Sequence, residues 1–145
     1  MSKSRKRDYY EQARSNLILE SEEIREKLAL GAWIPNIDIC ETMEDVTVRV
    51  ELPGIEPADI CLTMQGPRLR IQGTKREPTT ALQRLSYYCL ERRYGKFDRQ
   101  ISIDRVVDAG HSCAMLVNGV LTIVMPRIED RRGIMIEIPV ARQQE

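Results

Sequence analysis

The chain has 145 residues, 42% hydrophobic and 30% charged, a balance that fits one soluble domain with arms. Lys plus Arg and Asp plus Glu number 22 each, so no net field draws the chain to nucleic acid or to an acidic membrane. No apolar run nears the ~18 residues of a membrane span, and the basic start lacks the apolar stretch of a secretory signal, so the expected compartment is cytoplasmic.

Residues 1–7 carry Lys3, Arg5, Lys6 and Arg7 and read as a solvated tail. Residues 8–30 predict a helix, with Asp8 and Glu11 in a capping arrangement and Gly31 as its stop. Tyr10, Ala13, Leu17, Ile24 and Leu28 make only an incomplete stripe, so this helix needs something to pack against. From Trp33 the period changes to two. Ile37 and Ile39 alternate with polar neighbours, and Val46, Val48, Val50 and Leu52 alternate with Thr47, Arg49 and Glu51 in the pattern of a half-buried antiparallel strand. Pro53-Gly54 ends that strand. Ile60, Leu62 and Met64 share the next strand face, Gly66-Pro67 turns, Leu69 and Ile71 continue, and Gly73 closes the hairpin.

Residues 74–90 then form a connection too long for neighbouring antiparallel strands, which invites a functional reading. Leu85, Tyr87 and Cys89 alternate near its end as a short strand, suited to exchange with a second copy. Phe97, Ile101 and Ile103 mark another strand. Cys113-Ala114-Met115-Leu116-Val117 is apolar on both faces, so both faces are expected to be covered. Asn118-Gly119 is a two-residue hairpin signal, and Val120 to Met125 returns before Pro126. Seven or eight short strands of this kind predict an all-β antiparallel sandwich over residues 33–127, between a partly helical arm (1–32) and a C-terminal extension (128–145).

In that extension Ile134, Ile136 and Ile138 lie on one edge of an extended segment. A terminal segment has no core of its own for them, so it is expected to add to another sheet, often that of a neighbouring copy.

Chemistry is sparse. His111 is the one histidine, and it is expected at the surface or at a groove rim. Cys40, Cys61, Cys89 and Cys113 lack metal spacing and read as buried, reduced thiols. No glycine-rich phosphate loop precedes a helix, and the aromatics are not interleaved with basic residues. No catalytic, cofactor or metal residue is therefore assigned. Among the charges, Arg92, Arg93 and Arg99 stand out, and an interface role for any of them requires partial burial and a fixed carboxylate.

Glu51-Leu52-Pro53-Gly54, the run Glu91-Arg92-Arg93-Tyr94-Gly95-Lys96-Phe97-Asp98-Arg99, Asn118-Gly119-Val120-Leu121-Thr122-Ile123 with Pro126-Arg127, and Ile134-Met135-Ile136 together resemble the small heat-shock protein (α-crystallin domain) family in order and spacing over residues 33–138. That resemblance implies an immunoglobulin-like sandwich. It also implies an ATP-independent holdase that binds unfolding client proteins as an exchanging oligomer of dimers. The 74–90 connection is similar to the family's strand-exchange loop, so residues near 85–89 are implied to pair with the 33–40 edge of a second copy. The isoleucine tail is implied to dock between strands 60–64 and 111–117, with Ile60, Leu62 and Met64 on one side and Cys113 and Met115 on the other. Ala114 and Leu116 are the alternative parity. Either Ile134/Ile136 or Ile136/Ile138 is the docking pair, and spacing after Gly133 favours the first. Arg99 falls at the family's interface arginine. The chain departs from the family in carrying Ile103-Asp104 where members often place Leu-Pro, and in its short, charge-rich arm. Two further readings stand beside this one: a scaffold or coat protein on the same sandwich, and thiol chemistry centred on Cys89.

Overall fold

A computed structural model describes residues 33–78 and 86–129. The arm, Leu85, and the tail residues Ile134, Ile136 and Ile138 lie outside the described residues. Strands β1 (Ile37–Glu41), β2 (Asp45–Glu51), β3 (Ile60–Gln65), β4 (Arg68–Lys75), β5 (Gly95–Ser102), β6 (Cys113–Val117) and β7 (Val120–Pro126) form two antiparallel sheets. One runs β1-β2-β7-β6 and the other β3-β4-β5. The expected immunoglobulin-like sandwich is what forms, with β2 at the alternating run 46–52 and β6 and β7 on either side of Asn118-Gly119.

Alternation builds the core. Val46, Val48 and Val50 on β2 and Leu121, Ile123 and Met125 on β7 face inward from the larger sheet. Leu69 and Ile71 on β4 and Phe97 and Ile101 on β5 meet them from the other. Each fully buried aliphatic contributes roughly 1.5–3 kcal/mol. Asn118 and Gly119 have φ of 50° and 76°, the left-handed pair that a tight hairpin between β6 and β7 requires. That turn fixes register, so Val117 faces Val120 and Leu116 faces Leu121.

Several expectations are corrected here. Gly73 does not close a hairpin; it lies within β4, opposite Ile60 and Phe97. A Cβ there would stand 2.3 Å from the Asp59 carbonyl oxygen and 2.7 Å from the Phe97 ring. The four cysteines are free but exposed rather than buried. Cys61 and Cys113 have the outward parity of their strands, and the hydrophobicity of a thiol does not override strand alternation. Strand β6 is not covered on both faces: Met115 is 68% and Val117 52% exposed, because both take the outward parity, opposite Thr122 and Val120, on the sheet face turned away from the core. Residues 86–90, including Tyr87 and Cys89, form no strand, since an extended segment becomes one only beside a hydrogen-bonding partner.

Candidate functional site

The sandwich has four sheet edges, on β1, β6, β3 and β5. The Nη1 of Arg99 on β5 donates to the Pro35 carbonyl (3.5 Å), and Trp33 meets Phe97 edge-on with ring centroids 5.0 Å apart. These contacts place β5 beneath β1, so strand order puts β3 beneath β6. The molecule thus has two open sides.

On the β3/β6 side, Ile60, Leu62 and Met64 point inward from β3, half-buried against the core. From β6, Leu116 reaches the same core, and Ala114 shares its parity because it faces Ile123. Cys113 and Met115 face outward beside Val124 and Thr122, so the choice of those two as inward residues is corrected to Ala114 and Leu116. The sequence did hold the signal. A two-residue turn at Asn118-Gly119, set against inward Leu121 and Ile123, fixes the parity of β6. Neither Ile60–Gln65 nor Cys113–Val117 contains a charged residue. The side is therefore an uncharged seam whose two flanking backbones are unpaired among the described residues.

The β1/β5 side is different. Arg99 has the inward parity of Phe97 and Ile101 and is only 9% exposed. Its burial was legible as an arginine at a core position of an alternating strand. Arg105, just past β5, forms a two-pronged pair with Glu41 at the end of β1, at 2.7 and 2.8 Å. The hydrogen bond from Arg105 holds the Glu41 carboxyl below its usual range, against a smaller opposing effect of desolvation. Ile39 has inward parity opposite Val48 yet stays 49% exposed at this edge.

Tyr87, Tyr88, Cys89 and Leu90 are exposed in the connection between β4 and β5. Its base is pinned by Lys75, whose Nζ sits 5.0 Å from the Trp33 ring and 5.8 Å from that of Tyr94. His111 is at the surface as expected, with Nδ1 2.6 Å from Asp108 Oδ2. That hydrogen bond chiefly lowers the Asp108 pKa. The neighbouring Ser112 hydroxyl donates to the Asp108 carbonyl rather than to the imidazole. Among the described residues no group of three or more His, Cys, Asp or Glu side chains is placed to hold a metal, and no helix is long and apolar enough to cross a membrane.

The Hsp20/alpha crystallin family pattern matches residues 38–140. Heat shock protein 16 of Schizosaccharomyces pombe is 38% identical over 104 residues, which cover 68% of this chain and 70% of that protein. Spore protein SP21 of Stigmatella aurantiaca is 34% identical over 96 residues, covering 66% of this chain and 56% of its own length. Among solved structures, heat shock protein 16.0 from S. pombe matches with a TM-score of 0.64 at 29% identity, covering 77% of this chain and all of that one. The chain belongs to the Hsp20/alpha crystallin family, the small heat-shock chaperones.

Proposed function

We propose that this protein is an ATP-independent holdase, binding partly unfolded clients as an exchanging oligomer of dimers. The observation that carries the reading is the uncharged β3/β6 seam, with Leu62, Met64, Ala114 and Leu116 on its inner faces. An extended apolar segment laid there gains main-chain hydrogen bonds from the edges and burial for alternate side chains. Ile134 and Ile136 of a neighbouring copy are the occupant in the resting assembly, with Ile136 and Ile138 as the other possible pair.

Magnitudes explain why such an assembly is labile. Two isoleucines contribute roughly 3–6 kcal/mol on burial. Association costs at least about 4 kcal/mol. One tail in one seam is weak, and many tails in one assembly hold through effective concentration. A vacated seam then offers apolar surface to a client, and Met64 adapts its shape to it. The dimer forms when the 86–90 region of one copy, with Leu85 before it, pairs along the β1 edge of another.

Aggregation of a heat-labile enzyme, followed by light scattering without nucleotide, tests the reading. Undiminished scattering at stoichiometric ratios counts against it. Ile134→Ala with Ile136→Ala is expected to reduce the assembly to dimers with the sandwich intact, and unchanged mass in sedimentation rejects that docking pair. A second reading, a scaffold without client traffic, draws support from the likeness to a protein called a spore protein. Subunit exchange between labelled oligomers separates the two, because a scaffold does not exchange over hours.

A further inference from the structure

Each exposed cysteine occupies a place where another chain could add. Cys40 is on edge strand β1, Cys61 on edge strand β3, Cys113 on edge strand β6, and Cys89 in the connection. Geometry forbids the strand cysteines to pair within one chain. Cys40 faces Thr47, Thr47 faces Val124, and Val124 faces Cys113, so Cys40 and Cys113 are three strand spacings apart, about 14 Å. Cys61 looks outward from the opposite sheet. A disulfide needs Cα atoms within roughly 7 Å. Cys89 is no nearer to Cys40 of its own chain. It borders a shallow hollow with Pro78 and Tyr94, beside the start of β5. Glu41, next to Cys40, is bound to Arg105 beyond the end of β5, and that strand alone spans roughly 23 Å.

We propose that Cys40 of one copy and Cys89 of a second copy form an interchain disulfide when the protein meets a peroxide, locking the exchanged dimer. The proposal rests on the reading that the 86–90 region lies along the β1 edge of another copy. Cys40 faces outward with Thr47, and the Arg49 guanidinium 3.8 Å from its sulfur fixes that direction. Turning Cys89 outward as well brings Tyr88 and Leu90 inward. Both are exposed in the single chain, and they then cover the exposed flank of Ile39. The parity that aligns the sulfurs is thus also one that buries apolar surface.

The chemistry balances. The Cys40 sulfur attacks one oxygen of hydrogen peroxide and the O–O bond breaks. The departing hydroxide takes the thiol proton and leaves as water, and Cys40 becomes a sulfenic acid. The Cys89 sulfur then displaces the sulfenic hydroxyl, which carries off the second thiol proton as water. Two thiols and one peroxide give one disulfide and two waters.

The test uses the full chain, treated with hydrogen peroxide and run on a non-reducing gel, with disulfide-linked peptides mapped by mass spectrometry. A dimer band that reductant removes is expected, with a peptide joining Cys40 to Cys89. Cys40→Ser and Cys89→Ser should each abolish that band, whereas Cys61→Ser and Cys113→Ser should leave it. Native mass of the reduced protein separates the two levels of the claim. A non-covalent dimer that yields no Cys40–Cys89 link, or links only through Cys61 or Cys113, overturns the disulfide and leaves strand exchange standing. A reduced protein that is monomeric overturns both.

Discussion

The two open sides of the sandwich are built to opposite rules. On the β1/β5 side the edges carry Asp38, Glu41, Lys96 and Asp98, and side chains reach across at Arg99 to Pro35, Arg105 to Glu41, and Trp33 against Phe97. On the β3/β6 side neither edge strand has a charge, and apolar side chains line the gap. Charges on an exposed edge discourage indiscriminate pairing of strands, and their absence leaves a template. The difference teaches that one molecule can keep a selective edge and a permissive one. On the proposed reading the tied, charged side would suit one fixed partner, and the bare side any extended apolar segment, be it a tail or a client.

The contrast breaks most visibly if the permissive side is given a charge. Ala114 has inward parity but is itself exposed, so Ala114→Glu adds a carboxylate to the seam at little cost to the fold. A docked tail would desolvate that charge, at a cost of about 2 kcal/mol or more for each docking, which is close to 30-fold in affinity. The expected result is collapse of the assembly to dimers in sedimentation, together with loss of client protection. Met115→Glu, one residue along and facing outward, should leave the mass unchanged. Equal behaviour of the two variants would reject the assignment of parity.

A smaller effect sharpens the tied side. Arg99→Met keeps most of the side-chain volume but removes the donor to the Pro35 carbonyl. At 3.5 Å this hydrogen bond is long, so its loss costs no more than about 1 kcal/mol. The urea midpoint should drop accordingly, and under the proposed strand exchange the dimer should weaken with it. An unshifted midpoint would show that Arg99 does not hold β1 to β5.

Much of this contrast was legible in the sequence. Strict alternation in 46–52 marked β2, because a central strand is buried on one face and solvated on the other, and the Asn118-Gly119 turn with Pro126 marked β7 between them. The edges were harder. Cys113–Val117 read as doubly covered from its composition, yet exposure depends on whether a neighbouring strand or chain is present, and composition is silent on that. The thiols were misplaced for the same reason: Cys61 and Cys113 follow the parity of their strands, not their own hydrophobicity. Gly73 read as punctuation, although its lack of a side chain answers to Asp59 and Phe97, contacts that only the folded chain makes.

The finest distinction concerns pH, and it rests on Glu41. Its folded pKa lies below the ordinary value of 4.5 because Arg105 donates two hydrogen bonds to the carboxylate. A depressed carboxyl pKa means the unfolded chain binds the proton more readily. The contribution to stability is therefore complete above the unfolded value and disappears as pH falls through the folded one. Both partners are substantially exposed, so the whole contribution is at most about 1 kcal/mol. Glu41→Gln should match the wild type in strong acid and be slightly less stable near neutrality, with a flatter acid limb in urea titrations. Asp108 is shifted in the same direction, but it is present in both proteins, and the difference curve between them isolates Glu41. Salt at ~1 M, where screening acts within about 3 Å, should shrink that difference. It should not touch the assembly loss caused by Ala114→Glu, because on the proposed reading the seam would hold its occupant by burial. If salt rescued the Ala114→Glu assembly, the permissive side would be working by charge after all, and the two sides would no longer differ in kind.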